Sequence, residues 1–231
     1  MYKVSFYKGH YSERQRQANE EGCVACVEHY FNSSHSTTAN YTVVITGANA
    51  SQTSRNWGRW YAQAIDREFS VPLGGDQGIK VGGFDGRGDA NLRYAEMPAL
   101  LLEPLFASNP QHAEWIHSEA GQTRLARLLC ESIQRFFQKG GLIGFSVGHK
   151  YKRSNPNDRG APVQGGGTEA DYAEAVLLKA AAMLEAVERP QFQREVWVME
   201  SDIILWRKTV DEDAVLTWDS VRSILQIHES S

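Results

Sequence analysis

Apolar positions recur along this chain with two spacings. Residues 12–21 are polar and helix-compatible, and Gly22 is a natural stop. In residues 54–69, Trp57, Trp60, Tyr61, Ala64 and Ile65 follow helical spacing. Residues 111–137 carry Leu125, Leu128, Leu129, Ile133 and Phe136 as one apolar stripe, predicting one or two helices. Residues 168–187 form an amphipathic helix opened by Thr168-x-x-Asp171, a variant capping box. Between these lie short apolar runs that read as strands: 4–8, 23–31, 41–46, 99–102 and 142–147. Residues 70–90 read as glycine-rich loop. After Pro190 come strand-like stretches at 194–199 and 203–206, and a polar turn at 211–213 leads to a last short element.

Unbroken apolar strands alternating with helices predict an α/β fold with a mostly parallel, twisted sheet and helices on both faces. A length of 231 residues suits one such domain spanning the whole chain. The net charge of −4 argues against a nucleic-acid partner held by phosphate contacts. No apolar run approaches the ~18 residues a membrane span needs. The first residues show no basic stretch followed by an apolar one, so no signal peptide is expected and the localisation stays open. Cys23 and Cys26 form a C-x-x-C with no second pair to complete a structural zinc site, and are expected to fill a buried strand.

Three apolar strands end on ionisable residues: 23–29 on His29, 99–103 on Glu103, and 142–149 on His149. In open α/β sheets ligands bind beyond the carboxyl ends of the strands. The loop from His149 runs directly into the helix of Glu169, which places that carboxylate in its first turn. One histidine at a strand end is more often structural. Three ionisable residues at strand ends and a fourth in a neighbouring helix's first turn suggest two imidazoles and a carboxylate on a catalytic zinc, with a second carboxylate as base.

These segments resemble a known family. "RQRQANEEGCVACVEHYFNS" (14–33), "RYAEMPALLLEPLFASNPQHAEWI" (93–116) and "GFSVGHKYKRSNPNDRGAPVQGGGTEADYAEAVLLKAAAMLEA" (144–186) are similar to three blocks of the zinc-dependent N-acetylmuramoyl-L-alanine amidases, the class often called amidase 3. The last block resembles the family's opening, Asp-Pro-Gly-His-Gly-Gly…Asp-x-Gly-Ala…Glu-Lys-Asp, yet it follows the others. The resemblance therefore implies a circular permutant joined at Lys139-Gly140-Gly141. The family's later part would be 10–138, its opening 142–187, and 200–231 an extra segment. Residues 3–7 and 194–199 compete for the family's second strand.

Carried over, the resemblance implies Zn2+ held by His29, His149 and Glu169, with Glu103 as the catalytic glutamate. Asn32 and Arg93 match family positions that would touch substrate or hold the loop. The implied reaction is hydrolysis of the amide joining N-acetylmuramic acid to L-alanine in peptidoglycan. Departures include Ser146-Val147 for the Asp-Pro, Lys150-Tyr151 after the histidine, and Glu28 before His29. Two other readings stay open. His10-Tyr-Ser-Glu13 matches the H-x-x-E of zinc carboxypeptidases, and a non-catalytic wall-binding module would keep the fold without turnover.

Overall fold

The computed structural model describes residues 1–186 in full and the strands within 193–211. Two compact units divide the chain, Met1–Val187 and Glu188–Ser231. In the second unit, strands β9 (Gln193–Glu200) and β10 (Ile203–Asp211) pair as an antiparallel hairpin. The element expected after residue 213 lies outside the described residues.

The first unit is built on a six-stranded sheet. Its strands are β1 (Tyr2–Phe6), β2 (Ala25–His29), β3 (Val43–Thr46), β4 (Ile79–Val81), β7 (Ala99–Glu103) and β8 (Gly141–Val147), in the spatial order β1-β8-β2-β7-β3-β4. All neighbours run parallel except β3 against β7. Two-residue strands β5 (Gly83–Phe84) and β6 (Arg87–Gly88) make a small separate ribbon. Strands β4 to β6 all lie within the stretch predicted as loop, and are too short to carry a hydrophobic period.

The helices are α1 (Tyr11–Glu20), α2 (Gln52–Phe69), α3 (Pro110–His117), α4 (Glu119–Phe136) and α5 (Glu169–Ala186). Each expected helix is present, and Ser118 separates α3 from α4 by capping the second with its side chain on Gly121 N–H. One face of the sheet, through Val27, Leu100, Leu102, Ile143, Phe145 and Val147, packs with α2 to α5 in a single apolar core. The opposite face carries Leu101, Ala99 and Ile45, and α1 lies there with Ala18 packed beside Tyr7 and Cys23. Helices on both faces, with unbroken apolar strands between them, follow from this two-sided burial.

The H-x-x-E of residues 10–13 turns out to be a helix start. His10 is the N-cap of α1, its ring accepts from Ser12 N–H, and Glu13 accepts from His10 N–H at 3.1 Å, a complete capping box. Both residues serve the first turn of a helix rather than a metal.

Strand β8 comes late in the chain but lies between β1 and β2. The end of α4 leads straight into it: Gly140 N–H donates to Phe137 carbonyl at 2.9 Å, and Gly141 N–H to Met1 carbonyl at 3.1 Å. His29 pairs across to Val147, so the carboxyl ends of β2 and β8 lie side by side. Among the described residues no helix is long and apolar enough to cross a membrane.

Candidate active site

Above the carboxyl ends of β2, β7 and β8 opens a cleft of about 720 Å³, lined by Tyr30, Phe31, Asn32, Glu103, His149, Asp158 and Glu169 among others. This is where an α/β sheet places a ligand. Three of the predicted residues, Glu103, His149 and Glu169, meet there.

His149 follows β8 and takes a left-handed backbone conformation, φ 59°, uncommon outside glycine. Its imidazole is held on both sides. Asp158 places its carboxylate oxygens 3.0 and 3.1 Å from Nδ1, and Glu169 Oε1 lies 3.4 Å from Nε2. Asp158 resists protonation. Burial works against its charge, but donation from Gly160 N–H, His149 and Lys152 outweighs burial and holds the carboxyl at about 2.

Glu169 opens α5 and is 3% exposed. Burial raises its pKa, and backbone donors pull the other way: Ala161 N–H at 2.8 Å and Phe31 N–H at 3.4 Å. Gly160 has to be glycine: at φ 71° a Cβ there would lie 2.5 Å from Glu169 Oε2 and 2.7 Å from His149 Cδ2.

Glu103 ends β7 on the face that bears Leu101. Burial, and next the charge of Glu169, raise its pKa to about 7, with Arg87 opposing. Its Oε2 is buried without a hydrogen-bond partner. A carboxyl held near neutrality in a cleft, with one oxygen free, can take and return a proton.

The other expectations are met less evenly. Asn32 lines the cleft with its Nδ2 unpartnered, while its Oδ1 accepts from Ser33 N–H at 2.8 Å. Arg93 does not reach the cleft: it is half exposed and its Nε donates to Asp89 at 2.9 Å. His29, expected as a metal ligand, is fully buried, away from the cleft lining, and neither ring nitrogen has a partner. Its pKa falls to about 3 through burial. Among the described residues no group of three or more His, Cys, Asp or Glu side chains is arranged to hold a metal ion. Asp158 also belongs to the site, and the signal for it in the sequence is the Asp-x-Gly-Ala run of Asp158 to Ala161.

Comparison with known proteins bears on the family. The model of the N-acetylmuramoyl-L-alanine amidase family matches residues 2–135, more than half of the chain. Among solved structures, the catalytic domain of CwlV, an N-acetylmuramoyl-L-alanine amidase from Bacillus (Paenibacillus) polymyxa var. colistinus, is 25% identical over 56% of this chain and 66% of that one, with a TM-score of 0.46. The N-acetylmuramoyl-L-alanine amidase of Clostridium difficile 630 is 22% identical over 56% and 66%, with a TM-score of 0.48. Ami1 of Mycobacterium smegmatis is 18% identical over 56% and 61%, with a TM-score of 0.43. This chain thus spans slightly under two thirds of the length of these structures. No curated protein matches it. By the family match, the chain belongs to the N-acetylmuramoyl-L-alanine amidase family.

Proposed function

We propose that the protein hydrolyses the amide between the lactyl group of N-acetylmuramic acid and L-alanine of the peptidoglycan stem. The observation that carries this reading is the meeting of Glu103, His149 and Glu169 in one cleft, within a chain of this family. Glu103 takes a proton from the attacking water and returns it to the leaving amine, the double role that a pKa of about 7 suits. His149, oriented by Asp158, and Glu169 form the polar wall against which the scissile carbonyl is set.

Zinc is a separate question. Amidases of this family are generally zinc-dependent. A catalytic zinc takes three protein donors at ~2.0–2.3 Å. Of the expected set, His149 and Glu169 stand together, but His29 is turned into the core, so the three do not fit zinc as a set. No step above is assigned to a metal.

The order of blocks is also part of the proposal. The family match ends at residue 135, before β8 and α5 supply His149 and Glu169. The position of β8 between β1 and β2 supports a circular permutation in which the family's opening strand and helix come last.

The test is digestion of purified peptidoglycan and of a muramoyl-pentapeptide, read by mass spectrometry. The expected products are a free lactyl carboxylate and a peptide with a free L-alanine amine. Glu103→Gln should lower turnover ~10²–10⁴-fold while the protein stays folded. Binding of peptidoglycan without cleavage by the wild type would support the wall-binding module instead.

A further inference from the structure

We propose that strand β2 serves the cleft through Tyr30 and not through His29, and that Tyr30 is a positioning residue for the His149 imidazole. The inference rests on the active-site reading above and concerns which residue completes it.

Strand parity separates the two neighbours. β2 pairs with β7 as Glu28 to Leu101 and His29 to Leu102. Tyr30 N–H donates to Leu102 carbonyl at 2.9 Å, which carries the pairing one residue further. Alternation then sets Tyr30 on the face of Leu101 and Glu103, and His29 on the face of Leu100 and Leu102. The next residue on the face of His29 is Phe31, whose ring centroid lies 5.0 Å from the imidazole. His29 is thus sealed beneath Phe31 in the apolar core, with no polar group at either nitrogen.

Tyr30 has the opposite surroundings. Its ring lies on Gly148, where a Cβ would come within 2.5 Å of Tyr30 Cδ1. It meets the His149 ring edge to face, centroids 5.2 Å apart at 73°. Its hydroxyl is fixed by hydrogen bonds to protein groups. Asn91 Nδ2 donates to it at 2.9 Å and to Glu28 Oε2 at 2.6 Å, and the hydroxyl itself donates to Glu28 Oε2 at 3.3 Å. A phenol so engaged holds its ring in one orientation against His149.

Glu28 faces Arg14 at 3.9 Å. The buried Arg14 guanidinium donates to Val147 carbonyl at 2.9 Å and to Lys150 carbonyl, bracketing the turn that contains His149. The left-handed conformation of His149 persists only where its surroundings impose it. Arg14 grips the backbone of that turn, Asp158 fixes one ring nitrogen, and Tyr30 supports the ring from the side.

Three variants test this: His29→Leu, Tyr30→Phe and Tyr30→Leu. His29→Leu replaces an unpartnered buried imidazole with an apolar side chain of similar volume. Its unfolding midpoint should equal or exceed that of wild type, and its zinc content and turnover should match wild type. Loss of metal or of activity in folded His29→Leu would overturn the proposal. Tyr30→Phe keeps the ring and should retain the His149 imidazole signals in 13C NMR spectra. Tyr30→Leu should shift those signals and lower kcat on the order of 10²-fold, with KM within threefold. His149 signals in Tyr30→Leu identical to wild type would also overturn it. The NMR arm needs no turnover, so an inactive wild type would count against the amidase reading alone.

Discussion

The carboxylate of Asp158 sits 3.0 Å from His149 Nδ1, and with Glu169 it flanks the ring on both nitrogens. The Asp158 carboxylate accepts from Nδ1 and so fixes the orientation of the ring in the cleft.

Asp158→Asn removes the charge and leaves an amide of the same shape. The ring loses a charged acceptor and part of its orientation. Turnover should fall on the order of 10–100-fold, with unfolding changed far less, because Asp158 lies in a loop outside the main core. Steady-state kinetics beside a urea titration would check this. Unchanged turnover would show that the orientation of His149 does not matter to the reaction.

Glu103 gives a pH signature apart from activity. Its pKa is about 7 in the folded protein against an ordinary 4.5. The folded value is raised, so the stability this group contributes is fully present below pH 4.5 and is lost as pH rises through 7. Glu103→Gln cannot ionise and escapes that loss. Its advantage over wild type should widen between pH 4.5 and 7 and then level off, by at most about 3 kcal/mol. Urea unfolding at stepped pH would measure it. A difference flat across that range would mean that the carboxyl is not perturbed.

Helix α1 offers a test of the peptidase alternative. Glu13→Ala removes half of the capping box and should destabilise the protein by about 0.5–1 kcal/mol. It should leave turnover and metal content as they were, because His10 and Glu13 sit at the helix N-terminus. A collapse of activity without loss of fold would return the H-x-x-E to the chemistry.

Much of the architecture was legible in the chain. Long amphipathic runs announced α2, α4 and α5, and apolar runs stopping at Glu103 and His149 announced two strand ends and two residues that line the cleft. The face on which His29 lies was not legible, for a specific physical reason. Strands buried on both faces are apolar at nearly every position, so the run 23–31 shows no alternation from which to read which side chains share a face. A shift of one residue moves a side chain to the other side of the sheet, so the run alone does not tell His29 from Tyr30. That Arg93 stays out of the cleft lining was hidden for a different reason. Its partner, Asp89, lies four residues earlier on a short 3-10 turn that spacing alone does not reveal. Asp158 acts through the folding of an irregular loop, where no periodicity exists to be read.

The place of β8 also sets the order in which the molecule can assemble. As the chain leaves the ribosome, residues 1–136 emerge with the slot between β1 and β2 unfilled. Each of those strands then presents a row of unpaired amides and carbonyls where β8 will later lie, the kind of edge on which foreign strands add. Joining them requires a segment more than a hundred residues away along the chain, and such non-local closure is slow. The nascent protein is therefore most vulnerable to misassociation in the interval before residues 141–147 appear. The strand that brings His149 into the site is also the one that ends this exposure.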